Sequence, residues 1–503
     1  MQIKRSSRVR PKIDFRLITG ILGAFTFSTG IALMTPLTIS LIYNDGKWWS
    51  FVLAALIAFS IGGVLFKLFR TDDEIRPREA FFIVAATWVV LSIFGSLPFL
   101  FSQSVHNFTD AFFETISGLT TTGATIFGGV SHDKMLNNPI ESLPESVVFW
   151  RSMLHWIGGM GFVVLSLAIL PFLGLGSTNL FSAESSVQQN EKLAPRVQQV
   201  AKFLWGVYIL LTFVHFVLLW IHPKMNWFDA LNHAMSTLAT GGFSTKDTSV
   251  GWFDSAYIDW VIVIFMYLAG ISFAMHFRLM RGEFRNFVSN RETRFYTLIC
   301  VTSILFISMD LWWNDVHNLS DSFRYGAFQA MSIITTTGYG TTDYTFWPGL
   351  ALLVLLSLFF AGGCAGSTSG GIKMFRHMIL FRAVGREIRQ SVHPRAVLPL
   401  RIGNRIIDPN VSRKVLSFFM LYMLLFLVGA AILTTLGVHI QDALTLSMAS
   451  LGNIGPAIGQ FGPAGNYSAL PEIGKWAMAA LMLIGRLELF TIMALFSLPF
   501  WKE

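Results

Sequence analysis

The sequence predicts an all-α polytopic membrane protein in which four M1–pore loop–M2 repeats surround a pseudo-fourfold pore, with two extra transmembrane helices at the N-terminus. Three observations predict it. Apolar runs of membrane-spanning length recur along the chain, basic residues gather on alternate connections between them, and four loops of one design follow four of the spans.

The first observation is compositional. Of 503 residues, 53% are hydrophobic and 13% charged, about half the charged fraction of soluble globular domains. A spanning helix needs about 20 apolar residues. Such runs fall at roughly 16–43, 48–70, 79–102, 147–172, 200–222, 256–280, 294–313, 347–382, 413–437 and 474–499. The eighth is too long for one straight crossing and is expected to break. The start, with Lys4, Arg5, Arg8, Arg10, Lys12 and Arg16, precedes an apolar run longer than a signal core and without a small-residue cleavage site. It reads as a retained span.

The second is charge placement. A net charge of +8 would point to nucleic acid in a soluble protein; here it does not, because the basic residues crowd into short loops. With the N-terminus inside, 29 of the 37 Lys and Arg residues fall on the inner side, ten of them in 373–414. This asymmetry predicts cytoplasmic N- and C-termini, and the 373–414 run could also hold anionic membrane lipid. Trp48, Trp49, Trp220, Trp227, Trp312, Trp313 and Trp347 lie near predicted outer ends, where an interfacial aromatic belt belongs. Cys300 and Cys364 both lie in apolar runs and predict no disulfide framework.

The third carries the function. After spans three, five, seven and nine come DAFFETISGLTTTGAT, DALNHAMSTLATGGFS, YGAFQAMSIITTTGYG and DALTLSMASLGNIGPA, starting at Asp110, Asp229, Tyr325 and Asp442. Aligned without gaps, all four place glycine in one column, at Gly123, Gly242, Gly338 and Gly455. The period makes span–loop–span an internal repeat. It divides the chain into an N-terminal helix pair (1–74) and repeats at 75–196, 197–290, 291–408 and 409–503.

Each loop reads as a helix of about ten residues, too short to cross a bilayer, followed by a Thr/Gly-rich turn. Irregular backbone at membrane depth survives only where protein buries it or water lines it. A desolvated cation is the natural partner for such carbonyls: rings of them replace the hydration shell of potassium. The expected ligands are the backbone carbonyls of Thr120, Thr121, Thr122 and Gly123; Ala239, Thr240, Gly241 and Gly242; Thr335, Thr336, Thr337 and Gly338; and Gly452, Asn453, Ile454 and Gly455. None of these stretches carries a charged side chain, which argues against a carboxylate ring selective for divalent ions.

These loops and their spacing resemble the Trk/Ktr/HKT superfamily of potassium transporters, of the TrkH type, over residues 75–500. The pair in 1–70 resembles the N-terminal extension that sets this type apart from the shorter KtrB. In that superfamily one glycine per repeat suffices for the filter, and glycine in all four repeats goes with potassium preference; K+ is then the transported ion, with no organic cofactor. The resemblance also implies a homodimer with one pore per protomer in the bacterial inner membrane, and a cytosolic nucleotide-binding regulatory subunit of the TrkA type.

Span eight contains Gly362, Gly363, Cys364, Ala365, Gly366, Ser367, Thr368, Ser369, Gly370 and Gly371. Five glycines in ten residues cannot sustain a helix, since each costs up to about 1 kcal/mol relative to alanine. The resemblance makes this an intramembrane gating loop below the filter, with Arg486 at the same depth. An ionisable residue inside a span is functional by default; its structural alternative is a pairing with nearby Glu488.

Other signals are set aside. Residues 366–373 miss the phosphate-loop pattern, because Ile372 displaces the lysine and no Ser or Thr follows. His155, His215, His233 and His276 show no metal-ligand spacing and read as structural. Gly158, Gly159, Gly161 and Gly270 read as helix-packing glycines. No enzymatic chemistry is expected. Two alternatives remain: proton- or sodium-coupled symport, for which Glu114 and Asp343 are the nearest titratable groups, and a membrane enzyme or scaffold on a non-conducting channel fold.

Overall fold

The computed structural model describes residues 13–71, 75–128, 130–131, 134–135, 139–173, 193–403 and 405–502. The basic cluster at residues 4–12 and most of the 173–202 connection lie outside them.

The chain opens with a helical hairpin, α1 (Phe15–Tyr43) and α2 (Trp48–Phe69). Asp14 caps α1 by accepting from the amides of Arg16 and Leu17, satisfying two of the donors that a helix start leaves unpaired. Gly23 and Gly62 face each other across the hairpin with no room for a Cβ on either, the close approach that small residues give membrane helices.

Four helix–loop–helix units follow. The first is α3 (Pro77–Phe101), α4 (Phe108–Leu119) and α5 (Glu145–Leu173). The second is α6 (Leu193–Trp220), α7 (Trp227–Leu238) and a bent pair, α8 (Ala256–Ala269) and α9 (Phe273–Met280). After the short α10 (Phe284–Ser289), the third comprises α11 (Arg291–Trp313), α12 (Leu319–Ile334), α13 (Gly349–Leu358) and α14 (Met374–Val392). The fourth is α15 (Pro409–Thr435), α16 (Ile440–Gly452), α17 (Glu472–Arg486) and α18 (Phe490–Leu495), with α19 (Leu498–Lys502) behind it. Two hairpins of two-residue strands, at 130–135 and 401–406, are the extended structure among the described residues.

Among the described residues, six helices, α1, α2, α3, α6, α11 and α15, are long and apolar enough to cross a membrane, and the α8/α9 pair makes a seventh if it is one bent span. The core lies around the short helices: residues 111–119 of α4 are buried throughout. The outer helices turn apolar side chains outward, such as Leu298, Leu305, Phe306 and Met309 on α11. A water-soluble protein would hide such a face; a lipid-facing one does not. The protein is a multi-pass membrane protein.

The structure corrects two expectations. Span eight breaks as predicted, between Leu358 and Met374, but spans six and ten break as well. The second unit bends by 99° between α8 and α9, and the fourth breaks after Arg486, where Glu488 takes a positive φ of 55°. Of the expected tryptophan belt, Trp347 is buried instead, against Tyr344.

Candidate functional site

The short helices α4, α7, α12 and α16 start from similar caps. Asn107, Asn226 and Asn318 accept from the amides of Asp110, Asp229 and Asp321. The third helix therefore has its own Asn-x-x-Asp start, one turn further back than the gapless alignment placed it, and runs 16 residues against 12 in the first two. This explains why Tyr325 stands where the other three repeats have aspartate. The fourth helix starts at His439 without a side-chain cap.

At their other ends the four helices pass into the Thr/Gly stretches with one backbone pattern. Thr121, Thr240, Thr336 and Asn453 take φ of 52°, 56°, 58° and 55°, and Gly123, Gly242, Gly338 and Gly455, two residues on, take 80°, 82°, 81° and 92°. In a strand, successive groups point to opposite faces. Two left-handed residues separated by one ordinary residue break that alternation, and only glycine adopts such a φ without strain. The first residue of each predicted quartet belongs to the helix end: Thr120, Ala239 and Thr335 are C-caps, and Gly452 is the last residue of α16.

The four stretches meet in a closed ring. A Cβ on Gly123 would strike the carbonyl of Gly241; on Gly242, that of Thr337; on Gly338, that of Ile454; and on Gly455, that of Thr122. Each glycine thus abuts the peptide oxygen just before the next unit's glycine, and the fourth returns to the first. Four stretches can satisfy this cyclic order only if they surround one axis. Thr122, Thr240, Thr337 and Asn453 are fully buried. On one side the ring opens to a cleft lined by Gly123, Gly242, Gly338 and Pro456.

On the other side lies the glycine-rich loop between α13 and α14. Ser367, Thr368 and Ser369 are fully buried. Thr368 Oγ1 donates to the carbonyl of Leu238 at the end of α7 (2.9 Å), and the Gly370 amide donates to Thr336 Oγ1 (2.6 Å). Gly370 also sits against the carbonyl of Gly452, leaving no space for a Cβ. Arg486 Nη1 donates to the Thr368 carbonyl (2.6 Å) and Nη2 to that of Gly158 in α5 (3.4 Å). Through Arg486 and its own contacts, the loop is tied to all four units.

The loop is folded on itself and anchored at both ends. Ala361 bridges Ile372, Ser369 Oγ accepts from the Gly363 amide (2.8 Å) and contacts Ser367 Oγ (2.8 Å), and Lys373 Nζ donates to the Ser369 carbonyl. The Cys364 amide donates to the Gly270 carbonyl (2.8 Å) and the Phe273 amide to that of Gly366 (3.1 Å). The bend in the second unit is therefore the seat of the loop in the third. Sequence reasoning missed Glu292, at the start of α11, whose Oε1 accepts from the amides of Ala365 (2.7 Å) and Phe375 (3.1 Å). Its signal was available: a carboxylate two residues before an apolar span.

Glu488, the partner suggested for Arg486, pairs instead with Arg376, whose guanidinium also lies 4.0 Å over Phe418. Glu114 and Arg151 form a buried ion pair (2.7 Å) behind the first stretch, and Asp343 caps a turn by accepting from the Thr345 amide. His155 Nδ1 meets Ser236 Oγ (2.8 Å) and stacks on Phe243, and His215 stacks on Phe265; both are packing groups. Gly158, Gly159 and Gly270 have no room for a side chain, as expected of packing glycines, whereas Gly161 faces open space.

Broken helices, short buried helices and a ring of peptide carbonyls define a membrane transport protein built around a central axis. The chain belongs to the TrkH family, cation transport protein, whose model matches residues 49–501. It is 39% identical to the Trk system potassium uptake protein TrkH of Salmonella typhimurium, over 98% of this chain and all of that one. It is 33% identical to the Trk system potassium uptake protein TrkG of Escherichia coli, over 97% and 99%. The crystal structure of the potassium transporter TrkH from Vibrio parahaemolyticus superposes with a TM-score of 0.88 at 34% identity, covering 97% of this chain and all of that one.

Proposed function

We propose that the chain takes up potassium across the bacterial inner membrane, through the ring formed by the four Thr/Gly stretches, with both termini cytoplasmic. The observation that carries this reading is the cyclic contact of Gly123, Gly242, Gly338 and Gly455 with the preceding carbonyls of their neighbours. K+ is the substrate, held by the backbone oxygens of the four quartets from Thr120, Ala239, Thr335 and Gly452 to their glycines, where carbonyl dipoles replace water. The carboxyl ends of α4, α7, α12 and α16 add negative potential on the loop side of the ring.

The stretch 362–371 acts as the gate, with Arg486 as its fastening. Its contacts with Leu238, Thr336, Gly452 and Arg486 support a closed, non-conducting arrangement. The cytoplasmic face docks a cytosolic nucleotide-binding subunit, and the working unit is a homodimer with one pore in each protomer. No catalytic role is assigned. Coupled symport has less support: Glu114 is engaged by Arg151 and Asp343 by a turn, so neither is available to a coupling ion.

The test is flux from purified protein in liposomes under imposed K+, Na+ and pH gradients. A reversal potential that follows K+ alone is expected. One that follows pH or Na+ at constant K+ would replace the channel reading with symport, and no flux in a folded sample would remove both.

A further inference from the structure

The gapless alignment puts Glu114, His233, Gln329 and Leu446 in one column of the four short helices, and Thr125, Ser244, Gly340 and Ala457 in one column just past the ring glycines. The first column clamps the stretch leaving the ring, by a different chemistry in each unit. Glu114 accepts from Thr125 Oγ1 (2.9 Å) and the Ile126 amide (3.0 Å). His233 Nε2 meets Ser244 Oγ (3.0 Å). The Gln329 amide, oriented to satisfy both its neighbours, accepts from the Thr341 amide (2.9 Å) and donates to the Tyr339 carbonyl (3.3 Å). Leu446 offers no polar atom, and in its unit tyrosines take over: Tyr344 donates to the Ala457 carbonyl (2.8 Å) and Tyr467 to that of Gly455 (2.5 Å).

The first clamp alone in this column carries charge, and it spans two units. Arg151 Nε binds Glu114 (2.7 Å), Nη2 donates to Thr125 Oγ1 (3.0 Å) and Nη1 donates to the Ser244 carbonyl (3.3 Å) in the second unit. Its guanidinium lies 4.2 Å over the Phe243 ring, next to Gly242. Ser244 is also the partner of His233, so one polar chain runs Glu114–Arg151–Ser244–His233 behind two adjacent quarters of the ring. Both members of the ion pair are essentially inaccessible, at 0% and 1% exposure. A hydrophobic pair of equal volume would hold a core at least as well as a buried ion pair, so stability alone does not account for it. A planar fork with several donors fixes geometry where apolar contact would not.

We propose that Glu114 and Arg151 are positioning residues for ion selection: they hold the first and second quarters of the carbonyl ring at the separation that discriminates K+ from Na+. This rests on the ion-pathway reading above, but it assigns discrimination to an asymmetric clamp outside the ring and not to the ring alone.

The experiment measures K+/Na+ permeability ratios from reversal potentials in liposomes, for wild type, Glu114→Gln, Arg151→Lys and Thr125→Val. Glu114→Gln removes a charge-assisted partner and should lower the ratio about tenfold while conduction persists. Arg151→Lys keeps the charge but loses the fork, and should lower it as well. Thr125→Val removes the hydroxyl that both charged groups grip, leaves no buried charge unpaired, and should lower the ratio about threefold even if the charged variants fail to fold. Unchanged ratios in monodisperse variants, with only thermal stability reduced, would overturn the clamp. Absence of K+ conduction in wild type would instead overturn the pathway reading beneath it.

Discussion

Arg486 and Thr368 are joined across 118 residues of chain by a 2.6 Å hydrogen bond from the guanidinium to a backbone carbonyl. The arginine is the last residue of α17, where the fourth unit breaks, and the threonine is at the middle of the loop that interrupts the third. The loop is thereby fastened from the side opposite its own helices. Glu488 is committed to Arg376, and peptide oxygens of Thr368 and Gly158 receive this guanidinium.

Arg486→Gln should therefore free the loop. A hydrogen bond to a charged group is worth about 1.5–3 kcal/mol, so the closed arrangement should lose about tenfold or more in its favour. Basal rubidium flux into liposomes should rise on that scale. Deleting three or four residues within 364–370 should raise it further. Flux equal to wild type from either folded variant would show that the loop is not the barrier.

Glu292 offers a second, independent handle. Its carboxylate collects one amide before and one after the core of the loop, Ala365 and Phe375, and so staples the loop ends to α11. Glu292→Ala should release both and raise basal flux by about tenfold, whereas Glu292→Gln keeps an acceptor oxygen and should raise it less. Liposome flux again decides, and equal effects of Ala and Gln would mean that charge rather than acceptance holds the loop.

The ring and the loop were legible in the sequence because glycine marks them. Gly123, Gly242, Gly338 and Gly455 all proved to need a positive φ, and the run from Gly362 to Gly371 is where span eight unwinds. The bend at Gly270 was not legible, because a lone glycine in a span reads equally as packing. Only the partner segment, Cys364 to Gly366, reveals that its carbonyl is a docking point. The Arg376–Glu488 pair was hidden for a similar reason: its members are 112 residues apart, and nearness in sequence favoured Arg486. The early start of α12 escaped an alignment without gaps, although Asn318 and Asp321 spelled out the same cap as the first two repeats.

Gly242→Ala tests the ring directly. A methyl group there would overlap the carbonyl of Thr337, and alanine in a left-handed conformation costs roughly 1–2 kcal/mol before any clash. K+ flux should fall by at least about tenfold, with poorer discrimination against Na+ in what remains. Gly161→Ala, in the same protein but facing open space, should leave both unchanged. If Gly242→Ala conducts like wild type, the ring does not carry the ion.

The fourth quarter departs from the others at Asn453, which stands where the first three have threonine. Threonine is β-branched, and its left-handed φ in Thr121, Thr240 and Thr336 is a strain that the surrounding structure must impose. Asparagine adopts that conformation more readily, and its amide reaches in two directions: Nδ2 donates to Thr122 Oγ1 (3.0 Å) in the first quarter and to the Met482 carbonyl (2.9 Å) in α17. Met482 lies one turn before Arg486, so Asn453 connects the ring to the helix that fastens the loop. Replacing it separates backbone strain from side-chain bridging. Asn453→Gly removes both hydrogen bonds and relaxes the backbone; Asn453→Ala removes the same bonds and adds about 1 kcal/mol of left-handed strain. Thermal unfolding in detergent should rank wild type above Asn453→Gly and that above Asn453→Ala. Both variants should raise basal flux, since each uncouples α17 from the ring. A glycine variant as stable and as tightly closed as wild type would show that the bridge transmits nothing, and that asparagine is there for its backbone alone.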